Sequence, residues 1–145
     1  MTVKIKKIRE DAVIPTYGSE QAAGADLYAC AETEEILIKK GETVLVHTGI
    51  QMEIPQGYVG LVYARSGLSV KRGLAPANKV GVIDSDYRGE IMVALFNQSG
   101  EDALVKRGER IAQIVIAPYL KAEFALADDL QETARGEKGF GSTGR

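Results

Sequence analysis

The sequence predicts an all-β fold, a jelly-roll-like β-sandwich, on three observations. Its apolar runs are short and rich in β-branched and aromatic residues. Gly, Pro or Asn interrupts them at intervals of roughly 8–12 residues, the spacing of strands joined by turns. Almost no stretch keeps a helical period. Sheet packed on sheet is the architecture that buries such runs.

In chain order, Val3 to Ile8 reads as a first strand, with lysines marking an edge. Ile14-Pro15-Thr16-Tyr17-Gly18 reads as a turn or loop. Gly24 to Ala29 is a second strand, whose Asp26 breaks an apolar line, and Glu34 to Lys39 a third. After the Lys40-Gly41-Glu42 turn, Thr43 to Ile50 and Gln51 to Ile54 supply more β-rich sequence, closed by Pro55-Gln56-Gly57. Tyr58 to Ala64 is another strand. The one helical candidate starts near Ser66 and stops at Gly73. Gly81-Val82-Ile83 and Ile91 to Phe96 flank Ser85-Asp86, whose short side chains suit a tight reversal, so this stretch reads as a β-hairpin. Lys106 to Arg110 is a polar turn feeding the strand Ile111 to Ala117, which Pro118 ends. Phe124 to Leu130 has no clear pattern.

At 145 residues the chain suits one domain with a real core. The expected layout is a sandwich over residues 1–133 and a flexible tail, 134–145, belonging to it. A net charge of −2 gives no basic field for nucleic acid. No apolar run approaches the length of a membrane span, and nothing resembles a signal peptide. A single cysteine, Cys30, excludes an internal disulfide and fits a small core residue in a reducing cytoplasm.

Three stretches carry phosphate-binding chemistry. Arg65-Ser66-Gly67 combines a cation, a hydroxyl and a free backbone at a helix start. Gln113 is an amide within an apolar strand. The tail has four glycines among its last twelve residues, with Arg135, Ser142 and Thr143 as donors. Read alone, the tail is either a fraying end or a lid ordered by ligand. The hairpin is likewise either an acidic surface turn or the wall of a site. Asp26 and Asp84 lie in apolar surroundings, and a buried carboxylate needs hydrogen bonds, an ion pair or a metal. With Tyr87 and Phe140 as stacking rings, these pieces suggest a nucleotide bound with a divalent ion. There is no Gly-x-x-x-x-Gly-Lys-Ser/Thr loop and no Cys/His zinc set. A Ser-His-Asp triad could use only His47, which sits in a strand context that favours a structural role.

Five segments in order resemble the motifs of the all-β homotrimeric dUTPase family: Ala23 to Ala29, Ala64 to Leu68, the hairpin with Asn78 ahead of it, Arg107 to Gln113, and Arg135 to Gly144. Ala64 stands where the family often has proline, and Glu109 where aspartate is common. The resemblance implies hydrolysis of dUTP to dUMP and diphosphate, which removes dUTP and supplies dUMP for thymidylate synthesis. It implies Asp84 as the base that activates water, and Tyr87 under the deoxyribose. It places Asn78 and the backbone of Val82, Ile83 and Met92 on the uracil. Ser66, Gly67 and Gln113 fall on the α and β phosphates, with Arg65 near them. Arg135, Gly141, Ser142 and Thr143 fall at the γ end, with Phe140 on the base. Mg²⁺ is implied through the phosphates, with Asp26 reaching it by way of water, and so is a homotrimer with sites shared between subunits. Two rivals share the fold: a dCTP deaminase, and a non-catalytic nucleotide-binding module.

Overall fold

The computed structural model describes residues 1–137 and 139. Eleven strands and one helix follow in order: β1 (Lys4–Lys7), β2 (Thr16–Tyr17), β3 (Ala25–Tyr28), β4 (Glu35–Ile38), β5 (Thr43–Glu53), β6 (Tyr58–Tyr63), α1 (Ser66–Arg72), β7 (Leu74–Pro76), β8 (Gly81–Ile83), β9 (Glu90–Asn97), β10 (Ala103–Lys106) and β11 (Arg110–Pro118). All ladders are antiparallel. They form a four-stranded sheet, β1-β5-β9-β7, a five-stranded sheet, β2-β3-β11-β6-β8, and a β10-β4 pair.

Alternation along the strands builds the core. In β9, Ile91, Val93, Leu95 and Asn97 point inward while their neighbours stay half-buried. Val46, Ile50, Leu74 and Leu95 from the first sheet join Leu27, Ile111 and Ile114 from the second in one buried cluster, which Ile38 and Val105 of the small pair extend. Each such side chain contributes about 1.5–3 kcal/mol by leaving water. Asn97, fully buried, gives both amide hydrogens to the Ile38 and Glu101 carbonyls and accepts from Ser99, so its polarity is satisfied.

Helix α1 fits the span its sequence suggests. Gly73 adopts φ +65° and its N–H returns to the Leu68 and Ser69 carbonyls, ending the helix as a left-handed glycine does. Leu68 anchors it to the core.

The structure corrects the hairpin. β8 pairs only with β6, at the edge of the second sheet, whereas both sides of β9 are taken in the first sheet by β5 and β7. Residues 84–89 therefore cross between sheets instead of reversing within one. The two β-rich runs at 43–50 and 51–54 are a single strand, β5, bulged where His47 pairs with Met92 and Gln51 with Glu90. Phe124 to Leu130 lies exposed outside any helix or strand.

Candidate active site

The first concentration of chemistry sits on β3, β11 and the start of α1. Asp26 of β3 is 7% exposed, and two guanidinium groups hold it. Arg65 Nε donates to its Oδ1 at 2.7 Å and Arg110 Nη1 to its Oδ2 at 3.3 Å. This satisfies the buried charge and leaves the cluster a net cation. Gln113 is the cross-strand partner of Asp26, and its Nε2 donates to the Ala64 carbonyl at 2.9 Å. Ser66 and Gly67 occupy the first turn of α1, which no side chain caps, so backbone N–H groups remain for an anion. With Gly18, Ala22 and Gly24 these residues line a cleft of about 200 Å³. Gly24 gives the Gln113 side chain its room, because a Cβ at that position would lie 2.5 Å from Gln113 Oε1 and push the amide aside.

Arg110 is the residue that the sequence reading left out of the site. Strict alternation puts Arg110 and Gln113 on opposite faces of β11. A β-bulge between Arg110 and Ala112 pairs Arg110 with Tyr28 and Gln113 with Asp26, so both face the cleft. Arg110 opens its strand after a polar turn, and nothing local distinguishes it from turn charge.

The second concentration surrounds Asp84. This exposed carboxylate follows β8, and its carbonyl accepts from the Tyr87 N–H at 3.1 Å. Arg88 Nη1 donates to the Ser85 and Tyr87 carbonyls at 2.7 and 2.9 Å, making residues 84–89 an internally bonded unit. The Tyr87 hydroxyl donates to the Glu90 carbonyl at 3.0 Å. A broad groove of about 1010 Å³ runs beside Asp84, walled by Glu53, Pro55, Gln56, Tyr119 and Phe124.

Between Asp84 and the cleft lies most of a sheet. From β3 to β8 is three strand spacings, about 14 Å, and the register adds about 13 Å along the strands. One chain therefore does not bring Asp84 to Asp26, Arg65 and Gln113.

The remaining predicted residues fall near the crossing. Asn78 lies exposed in the turn between β7 and β8. Val82 and Ile83 sit on β8, whose outer edge has no strand beside it among the described residues. The Ala94 carbonyl accepts from the Ala77 N–H, so Met92, two residues earlier, turns its peptide groups to the same side. That side lies past the end of β7. Backbone donors and acceptors on β8 and β9 thus stay out of any mutual ladder. Arg135 is exposed, in a bend before Gly136. Phe140, Gly141, Ser142 and Thr143 lie outside the described residues.

Other candidates recede. His47 is bonded through Nδ1 to Glu90 Oε2 at 2.8 Å. Cys30 is buried, donates weakly to Asp11 Oδ1 at 3.4 Å, and burial pushes its thiol pKa up, away from thiolate reactivity. Its partner Asp11 is held below the usual carboxylate range, chiefly by the hydrogen bond from Arg9. Among the described residues no group of three or more His, Cys, Asp or Glu could hold a metal, and no helix is long and apolar enough to cross a membrane.

Comparison with known proteins identifies the family. The family model for dUTPase matches residues 10–144. The deoxyuridine 5'-triphosphate nucleotidohydrolase of Desulfitobacterium hafniense is 53% identical over 145 residues, covering 98% of this chain and 95% of that protein. The protein of the same name from Nautilia profundicola is 48% identical over the full length of both. Among solved structures, the dUTPase of Staphylococcus bacteriophage 80alpha with dUpNHpp superposes with a TM-score of 0.90 at 27% identity, covering 99% of each chain. Matched over nearly its whole length by the family model, by these relatives and by the solved structure, the chain belongs to the dUTPase family.

Proposed function

We propose that this chain hydrolyses dUTP to dUMP and diphosphate, removing dUTP and supplying dUMP. One observation supports this above the others: Asp26, Arg65, Ser66, Gly67, Arg110 and Gln113, scattered over the sequence, converge on one cationic cleft. The phosphate chain lies there. Guanidinium groups, the Gln113 amide and the N–H groups of α1 neutralise and orient it, which is most of what phosphoryl transfer requires. Arg135 and the Gly-Ser-Thr run of the tail complete the clamp, Phe140 covers the base, and closure of residues 134–145 excludes water other than the nucleophile.

The uracil edge meets the peptide groups of Val82, Ile83 and Met92, with the Asn78 amide beside them. Cytosine offers a donor where uracil offers an acceptor and leaves buried groups unpaired. Tyr87 lies under the deoxyribose and bars a 2′-hydroxyl. Asp84 takes a proton from the water that attacks the α-phosphorus. The bond to the β-phosphate oxygen breaks, and diphosphate leaves.

The donor set suits Mg²⁺ bound chiefly through phosphates. No protein cage is present among the described residues, and both Asp26 oxygens, though each accepts from an arginine, retain lone pairs for a water ligand. When bound, the ion neutralises charge on the phosphates.

The separation of Asp84 from the cleft means that a complete site draws on more than one copy of the chain. A cyclic homotrimer closes such head-to-tail contacts with three equivalent sites.

Diphosphate release from dUTP, dCTP, dTTP and UTP, with and without Mg²⁺, tests the reading. The expected result is Mg²⁺-stimulated release from dUTP alone, with discrimination against dCTP on the order of 10⁴. Ammonia from dCTP, or binding of dUTP without turnover, sinks it.

A further inference from the structure

The geometry points to Glu90 as a positioning residue for sugar selection, an inference that rests on the function proposed above. Across one step of the β5–β9 ladder, β5 runs from His47 to Gln51 while β9 runs only from Met92 to Glu90. The surplus residues of β5 form a bulge that leaves the Gly49 N–H without a ladder partner. The Glu90 carboxylate, its side chain 15% exposed, closes that gap. Its Oε1 accepts from the Gly49 N–H at 2.8 Å, and its Oε2 pairs with His47 Nδ1 at 2.8 Å. Gly49 can only be glycine: its φ is +69°, and a Cβ would come within 2.8 Å of both Ala12 Cβ and Cys30 Sγ. The bulge is therefore a rigid fixture to which a carboxylate is fastened at two points.

Residue 90 is also where the loop carrying Asp84 and Tyr87 rejoins the sheet. The Glu90 carbonyl receives the Tyr87 hydroxyl at 3.0 Å, and the tyrosine ring folds so closely over Gly89 that a Cβ there would collide with it. Since residues 84–89 bond mainly to one another, the loop is held by the β8 ladder on one side and, on the other, by the Gln51–Glu90 pair that ends the β5–β9 ladder, to which the Glu90 carboxylate adds its own two bonds. Beside the bulge, where that ladder pair stands isolated from the next one, the side-chain grip on β5 holds the peptide plane at residue 90 in place. That plane fixes the Tyr87 hydroxyl, and the ring presents a constant wall to the sugar. Glu90 acts through Tyr87 and touches no reacting atom.

The test is the ratio of kcat/KM for dUTP over UTP in Glu90→Ala, Glu90→Gln and Tyr87→Phe, singly and combined. Glu90→Ala is expected to lower the ratio about tenfold or more, with KM for dUTP rising, because a wall displaced by a fraction of an ångström admits the 2′-hydroxyl. Glu90→Gln, which keeps an acceptor for Gly49 and an amide for His47, is expected to restore most of it. In the Tyr87→Phe background, the loss due to Glu90→Ala should shrink to about twofold or less, since both act through one bond. A Glu90→Ala protein with reduced Tm and an unchanged ratio, or a loss that persists in full without the Tyr87 hydroxyl, overturns the inference. If Glu90→Ala does not fold, His47→Ala decides: it removes one of the two fastenings and should lower the ratio about threefold, and no change refutes the role. Unmodified protein that leaves dUTP intact overturns the proposed function and this inference with it; an active protein with an unaltered ratio in the variants overturns the inference alone.

Discussion

Two carboxylates of this chain show how surroundings divide labour between identical groups. Asp26 is buried and spends its charge on Arg65 and Arg110. Asp84 is exposed, with no ion pair among the described residues, so its lone pairs are available to a water. If Asp84 is the base, Asp84→Asn should cut kcat by about 10²–10⁴ while dUTP still binds within a few-fold, because the amide keeps the shape and loses the proton acceptor. Single-turnover kinetics beside a binding titration with dUpNHpp separates the two effects, and unchanged turnover removes Asp84 from the chemistry. Asp84 was visible in the sequence as an acidic residue among apolar neighbours. Arg110 was not, because the bulge that turns it inward depends on β3, more than eighty residues earlier in the chain.

Elements were legible to the extent that their signals are local. Helix α1 was readable from end to end, because Gly73 both permits the left-handed stop and marks it in the sequence. The crossing at residues 84–89 is not legible in the sequence, for the converse reason. Ser85-Asp86 reports that the chain turns, but which strand lies beside β8 is decided by β6, and nothing between Gly81 and Ile91 encodes that. β10 escaped notice because Ala103 to Lys106 is too short to declare itself and is a strand only beside β4. Glycines carry element-level information of a different kind. Gly24 keeps β3 clear of the Gln113 amide. Gly24→Ala should displace that flexible side chain without breaking the fold, lowering kcat/KM by about 10–100-fold with little change in Tm. Thermal melts and steady-state kinetics on one preparation check this, and native kinetics would show that Gln113 does not need its present place.

At the scale of the molecule, the two halves of the proposed site occupy different regions of one chain, and that separation predicts complementation. Asp84→Asn and Arg65→Ala chains should each be nearly inactive alone. Mixed by denaturation and refolding, about a quarter of the sites in a cyclic trimer should pair an intact Asp84 with an intact Arg65 and regain activity. Absence of recovery, with trimers verified by sedimentation, argues that each chain builds its own site. A related feature is the exit of the chain from β11. Leu120, Phe124, Leu126 and Leu130 are each at least 89% exposed, which is costly for a monomer and natural for a strap laid on a second copy. The divergence of β8 and β9 into separate sheets has a further consequence. The base-reading surface proposed for residues 82, 83 and 92 is made of peptide groups, and every residue type except proline carries the same ones. Substitutions at residues 82, 83 or 92 leave the lettering of that surface unchanged as long as the two strands keep their paths. On the function proposed, choice of base would thereby be protected against genetic drift, whereas choice of sugar, resting on one tyrosine and its tether, would stay open to it.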